Sequence, residues 1–157
     1  MTPILLPPEN HPAWARAKAI ALALHTRGKS NPFITAALTH AYAESAWTAV
    51  IKGDHDQSFG PWQINWKFYG EPILAALEID IRTEPDFARH VEALLWALAA
   101  PGNEKTLEAL NTAKTGAEAT RAFFGFERAG APDAQQRRID TAPAIEVALS
   151  RMLAPDP

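Results

Sequence analysis

The chain has 157 residues, 47% of them hydrophobic and 9% aromatic with five Trp, which supplies one buried core and excludes a disordered composition. It contains no Cys, so a disulfide framework, a thiolate metal site and a thiol nucleophile are all excluded. Fifteen Lys and Arg against 18 Asp and Glu leave a net charge of −3, which argues against a nucleic-acid partner held by bulk charge.

The first residues, Met1 to Leu6, are apolar but run straight into Pro7-Pro8-Glu9, without the basic start, long apolar run and small-residue cleavage site of a secretory signal. No stretch reaches the roughly 20 apolar residues of a membrane span. The expectation is one soluble domain over 1–157 with flexible ends at 1–10 and 154–157. It is expected to be made in the cytoplasm without a signal peptide and without insertion in a membrane.

Ala makes up about a fifth of the residues while Val stands only at 50, 91 and 147, a balance that favours helix over sheet. The fold class expected is therefore all-α, or mainly α, with six to seven helices. His11 to Arg27 carries Trp14, Ala17, Ile20, Ala21 and Leu24 at helical spacing and stops at Gly28. A second helix starts at Asn31-Pro32, read as cap and first turn, and sets Ile34, Leu38, Ala41 and Ser45 on one stripe, with Glu44 near its end.

From Thr48 to Gly70 the period is lost, and Gly53, Gly60, Pro61 and Gly70 punctuate a polar, aromatic segment. We expect a long loop there with a short β-hairpin; loops of that length in a compact domain are more often functional than decorative. Helices resume over 72–78, 85–100, 104–114 and 118–127 by pattern and caps. A last helix covers 133–152, where Pro143 predicts a kink or two pieces.

The densest chemistry lies between Glu44 and Trp66. A carboxylate closing an apolar helix, followed by Ser58, Phe59, Trp62, Gln63, Asn65 and Trp66, suits a saccharide cleft: aromatic faces cover sugar rings, and amides and hydroxyls bond the sugar's polar groups. Partial desolvation of Glu44 by Ala41, Trp47 and Trp62 would raise its pKa and fit it as a general acid toward a glycosidic oxygen. Asp54 and Asp56 are candidate water-positioning carboxylates. Asp54 is equally readable as a turn residue after Gly53, and His55 and Asp56 as rim residues.

The Asp54-His55-Asp56 run carries no distant ligands in its pattern, so neither a metal nor any other cofactor is expected. Trp14 and Trp96 sit on apolar stripes and read as core. Trp62 and Trp66 read either as core or as sugar-stacking rings, and Gln63 and Asn65 either as loop braces or as substrate ligands. Ser45 and Ser58 lack a nucleophile-elbow context, and the glycines form no phosphate loop.

Glu44-Ser45, a spacer, and then Ser58-Phe59-Gly60-x-x-Gln63-Ile64 resembles the signature of the lysozyme superfamily, close to goose-type lysozymes, soluble lytic transglycosylases and phage tail lysozymes. The resemblance implies a lysozyme-like domain with Glu44 as catalytic acid and Ser58, Phe59, Trp62, Gln63, Asn65 and Trp66 along a saccharide groove. Gly53-Asp54 resembles the goose-type Gly-Asp pair, whose carboxylate helps position water, whereas Asn65 stands where those enzymes place a second Asp. Phe123-Phe124-Gly125-Phe126-Glu127-Arg128-Ala129 is similar to a Phe-Glu-Arg-Pro segment of tail lysozymes, with Ala129 in place of Pro and with Arg137 and Arg138 following. Glu127 is there a support residue or half of an internal ion pair with Arg128.

The implied activity is cleavage of the β-1,4 bond between N-acetylmuramic acid and N-acetylglucosamine. The alternatives are a lytic transglycosylase giving 1,6-anhydro products, a non-catalytic glycan-binding envelope or virion component, and a chitinase- or chitosanase-like glycosidase. The implied partners are peptidoglycan strands and, for delivery after lysis or in a particle, phage-tail or gene-transfer-particle proteins.

Overall fold

The computed structural model describes residues 2–127 and 130–155. The chain is mainly helical, with seven α-helices and one small sheet among the described residues. In order these are α1 (Ala13–Thr26), α2 (Asn31–Ser45), three two-residue strands β1 (Lys52–Gly53), β2 (Ser58–Phe59) and β3 (Ile64–Asn65), a π-helical turn (Trp66–Gly70), α3 (Glu71–Leu77), α4 (Phe87–Leu98), α5 (Glu104–Thr112), α6 (Gly116–Phe123) and α7 (Pro132–Met152).

Helix α2 is the hub. Phe33 to Ala41 are buried without a break, so α2 is covered all round, chiefly by α6 and α7 with α1 on a further side. The core is one contiguous cluster that joins Ile20 and Leu24 of α1, Leu38 of α2, Leu94 and Leu98 of α4, Phe123 of α6, and Ile145 and Leu149 of α7. Ser30, one residue earlier than the sequence pattern indicates, caps α2 by accepting from the Phe33 amide, and Pro32 occupies the first turn. At the other end Ala46, at φ 50°, turns the chain into the left-handed region and its N–H closes on the Ala41 and Tyr42 carbonyls. That abrupt stop leaves Glu44 and Ser45 in the last turn of a helix whose middle is immobilised by packing.

The expected hairpin is a three-stranded antiparallel sheet in the order β1-β2-β3, with Gly53 opposite Ser58 and Ser58 opposite Asn65. Pro143 does not divide the last helix, which runs as one element from Pro132 to Met152. Its inward stripe, Arg138, Thr141, Ala142, Ile145 and Leu149, is buried against neighbouring helices, and this tertiary packing outweighs the one ladder bond that Pro removes. Residues near the N-terminus hydrogen-bond to α2 and α7. The Ile4 amide donates to Thr141 Oγ1 at 2.8 Å, Arg137 donates to the Thr2 carbonyl at 3.1 Å, and Tyr42 donates to the Leu5 carbonyl at 3.0 Å.

Candidate active site

Ser45 fastens the end of α2 to the loop. Its hydroxyl lies 2.9 Å from both the Ala41 and the Pro61 carbonyls, and it accepts from the Thr48 amide at 3.1 Å. The Gly-x-x-Gln stretch makes the loop's tight turn. Gly60 adopts φ 81° with the His90 ring 3.0 Å from where a Cβ would stand, so only glycine fits both the dihedral and the space. Gln63 donates to the Gly60 carbonyl at 3.0 Å, and its Oε1 would collide at 2.3 Å with a Cβ on Gly53. These residues shape the wall of a groove of about 430 Å³.

Asp54, Ser58, Gln63 and Asn65 line that groove from the sheet side. Phe68 and Tyr69 of the π-helical turn, Asn103 ahead of α5, and Phe126 and Glu127 after α6 complete it. Asn103 is buried, donating to Tyr69 Oη at 2.9 Å and to the Ala97 carbonyl at 2.8 Å, which fixes the Tyr69 hydroxyl at the rim. Asn65 caps the π-helical turn by accepting from the Phe68 amide at 3.0 Å. It also borders a neighbouring hollow of about 310 Å³ with Asp56, Gln57, Trp66 and Lys67, so the surface depression continues past Asn65.

The chemistry concentrates at the inner end. Arg138 Nη2 donates to Glu44 Oε1, and the Glu127 carboxyl lies near enough to Glu44 for the two to interact. Arg138 is itself buried, with Nη1 2.9 Å from His40 Nδ1, and the other His40 nitrogen lies 3.0 Å from the Thr120 carbonyl. A guanidinium only donates, so Nδ1 is the acceptor and Nε2 carries the proton toward Thr120: His40 is the neutral Nε2–H tautomer. Burial foremost, with the Arg138 charge adding to it, pushes His40 down to about 3 against the opposing Thr120 bond, and the ring stacks on Phe123 with centroids 4.4 Å apart.

Glu127 is shifted the other way. Burial, then the neighbouring Glu44 carboxyl by charge and by hydrogen bond, then Asp54, push it up to about 8, with Arg138 pulling in the opposite direction. A half-buried carboxyl beside a second one can hold a proton at neutral pH.

The structure brings Glu44, Asp54, Ser58, Gln63, Asn65 and Glu127 to one place, and it moves others out. Trp62 is not a stacking platform. It is buried in the core and donates from Nε1 to the Ala37 carbonyl at 2.9 Å, because the Gly60 turn drives the ring inward under α2. Phe59 packs partly buried against the core and is not among the groove's lining residues. Trp66 borders the neighbouring hollow but has the Arg82 guanidinium 3.8 Å from its ring centroid, so that face is already taken. Asp56 is exposed and pairs with Lys52 at 3.5 Å. His40 reaches Glu44 only through Arg138, and the Glu127 to Arg128 pairing lies outside the described residues, which omit Arg128.

The residues that sequence reasoning overlooked are Phe68, Tyr69 and Asn103, while Phe126 and Arg138 were named only within the segment similar to tail lysozymes and were given no role at the site. Arg138 did leave a signal: it shares the inward stripe of α7 with Ala142, Ile145 and Leu149, and a cation on an apolar stripe demands a buried acceptor.

Among the described residues no three His, Asp or Glu side chains group as a metal site, and no helix is long and apolar enough to cross a membrane. Compared with protein-family models, with curated proteins and with solved structures, the chain matches none.

Proposed function

We propose that this protein is a peptidoglycan-degrading glycosidase, a muramidase that cleaves the β-1,4 bond between N-acetylmuramic acid and N-acetylglucosamine. The observation that carries the reading is the Glu44–Glu127 carboxyl pair at the inner end of a groove lined by aromatic rings and amides. Glycoside cleavage needs one carboxyl that gives a proton to the leaving oxygen and one carboxylate that supports the oxocarbenium-like centre or its water. Phe68, Tyr69 and Phe126 offer ring faces to sugars, and Gln63 and Asn65 offer amide groups. The resemblance of Glu44-Ser45 and Ser58-Phe59-Gly60-x-x-Gln63-Ile64 to the lysozyme superfamily points to the same reaction and to this substrate.

Hydrolysis is favoured over internal transfer by Asp54. Its carboxylate is exposed at the groove and accepts from Ser58 Oγ at 3.0 Å, an arrangement suited to orienting water. Delivery to the wall after lysis or within a phage-like particle fits the acidic charge balance, which gives no bulk attraction to an anionic polymer.

The test is digestion of purified cell walls at neutral pH by the native chain and by Glu44→Gln, with mass spectrometry of the fragments. Reducing muropeptides from the native chain and at least about a hundredfold less from the variant are expected. Walls left equally intact by both sink the enzymatic reading, and glycan retained in a pull-down without turnover would replace it with a binding role. Fragments ending in 1,6-anhydro sugar would instead make the protein a lytic transglycosylase. Faster cleavage of chitin oligomers than of walls would move the substrate.

A further inference from the structure

His40 and Glu44 stand four residues apart on α2, so they share one face of the helix. Between them they hold both arms of one guanidinium from α7: Arg138 Nη1 donates to His40 Nδ1 at 2.9 Å, and Nη2 donates to Glu44 Oε1. The imidazole is fixed from its other side by α6. Its second nitrogen lies 3.0 Å from the Thr120 carbonyl, its face stacks on Phe123, and Phe124 meets it edge-on with centroids 4.8 Å apart. His40 and Arg138 are buried, whereas the Glu44 side chain is 19% exposed, so the chain of bonds starts in the core and ends on a carboxyl that solvent reaches. A guanidinium has donors only, and a buried one needs an acceptor at each arm. Nδ1 of His40 supplies the acceptor that keeps Arg138 from turning away.

We propose that His40 is a positioning residue for Glu44 and acts through Arg138: as a neutral acceptor it aims the guanidinium at Glu44 Oε1, which leaves the other oxygen, Oε2, to carry the proton for the glycosidic oxygen. This role rests on the muramidase reading for the reaction, although not for the arrangement of the three side chains. As the bond between the anomeric carbon and the leaving oxygen breaks, its electron pair stays on that oxygen, which takes the Glu44 proton. Water then adds at the anomeric carbon and releases the proton that restores the carboxyl, so one glycoside and one water give two hydroxyl-terminated fragments. His40 and Arg138 exchange no proton. The burial that keeps the imidazole uncharged serves this role, since a protonated ring would offer Arg138 a donor where it needs a lone pair.

Two substitutions separate aiming from packing. In His40→Asn the amide oxygen stands near the place of Nδ1, which keeps the acceptor for Arg138 and gives up the Thr120 bond. In His40→Gln the longer amide reaches the place of Nε2, which keeps the donor to Thr120 and gives up the Arg138 acceptor. Each variant loses one hydrogen bond and the ring on Phe123, so their urea midpoints should fall by similar amounts. With full-length chains and saturating cell walls, His40→Asn should digest at least about tenfold faster than His40→Gln, a difference in kcat and not in KM, because the groove's own side chains are untouched. A Gln variant as fast as the Asn variant, or losses of digestion that simply follow the urea midpoints, makes His40 a packing residue and overturns the proposal. NMR of 15N-labelled His and Arg gives a reading that needs no activity. The native chain should show His40 as the Nε2–H tautomer and Arg138 with slowed rotation of its Nη groups, a signature kept in His40→Asn and lost in His40→Gln. An Nδ1–H tautomer in the native chain, or the same Arg138 signals in both variants, overturns the proposal as well. If the native chain digests no wall at all, the muramidase reading fails while the spectra still report whether His40 aims Arg138.

Discussion

The two walls of the groove hold carboxyls of the same chemistry in opposite settings. The inner wall is built by the ends of α2, α6 and α7, where Glu44 and Glu127 are backed by buried Arg138 and fully buried His40, with Phe123 stacked on the imidazole. The outer wall is the turn between two-residue strands, where Asp54, His55 and Asp56 stand consecutively at φ 50°, 54° and 66° and are exposed. Low solvation and a like-charged neighbour favour holding a proton, whereas exposure favours the carboxylate. Under the proposed reaction, environment would divide the tasks of donor and water-positioning base between residues that a sequence writes with nearly the same letters.

Breaking the inner wall should have the largest effect. Arg138→Met leaves Glu44 part-buried without its cation, and loss of one member of such a pair costs about 3–5 kcal/mol. A fall of the urea midpoint together with loss of wall digestion is expected. Loss of digestion with an unmoved midpoint would place Arg138 outside the structural network and contradict the contrast between the walls.

The two loop tryptophans sharpen the same comparison. Trp62, buried with its indole N–H satisfied by Ala37, should cost about 3–5 kcal/mol on truncation to Ala. Trp66→Ala removes a part-buried ring sandwiched against Arg82 at the rim and should cost less than half of that. Equal midpoints for the two variants in urea unfolding would mean that the loop does not divide into a core-facing and a groove-facing half.

How much of this was legible beforehand follows from the range of the interactions. The position of Glu44 at the end of α2 could be read from local signals, the Asn31-Pro32 start and the apolar spacing through Ala41. The Glu44–Arg138 bond spans 94 positions, and no local pattern pairs a particular carboxylate with a particular arginine across that distance. Trp62 was ambiguous because its neighbours Gly60, Pro61 and Gln63 read as surface loop; only the turn at Gly60 decides which way the ring points. Of the two outcomes that Pro143 predicts, division into two pieces does not occur, since burial of the α7 stripe keeps one continuous element from Pro132 to Met152. Glu127 was visible as a residue type, but its meeting with Glu44 depends on α6 packing across α2.

At the outer wall, Asp54→Asn should leave stability within about 0.5 kcal/mol, as for an exposed position, because its one side-chain partner is Ser58 and an amide oxygen can still accept that bond. Hydrolysis should nonetheless drop by at least about tenfold, since an amide cannot take a proton from water. Time courses of muropeptide release, set beside urea midpoints, check both halves. A variant that digests walls as fast as the native chain would remove Asp54 from the reaction and leave the inner carboxyl pair to do both tasks.

A last effect is the pH dependence of stability, in which the two groups of the inner wall oppose each other. His40 sits at about 3 in the fold against an ordinary 6.5, so between those values the unfolded chain binds a proton that the native state refuses. Its contribution is complete above pH 6.5 and is lost as pH falls toward 3; His90, also pushed down by burial, adds to that acid-side loss. Glu127 sits at about 8 against an ordinary 4.5, so the native state binds the proton more tightly. Its contribution is complete below pH 4.5 and is lost as pH rises toward 8. Between about 4.5 and 6.5 the two slopes act in opposite directions, and the urea midpoint should pass over a broad top there. Glu127→Gln, which cannot titrate, should abolish the alkaline decline while leaving the acid-side decline in place. An alkaline decline that persists in that variant would mean that some other group holds the proton, and the contrast between a partly buried inner wall and an exposed outer one would lose its physical basis.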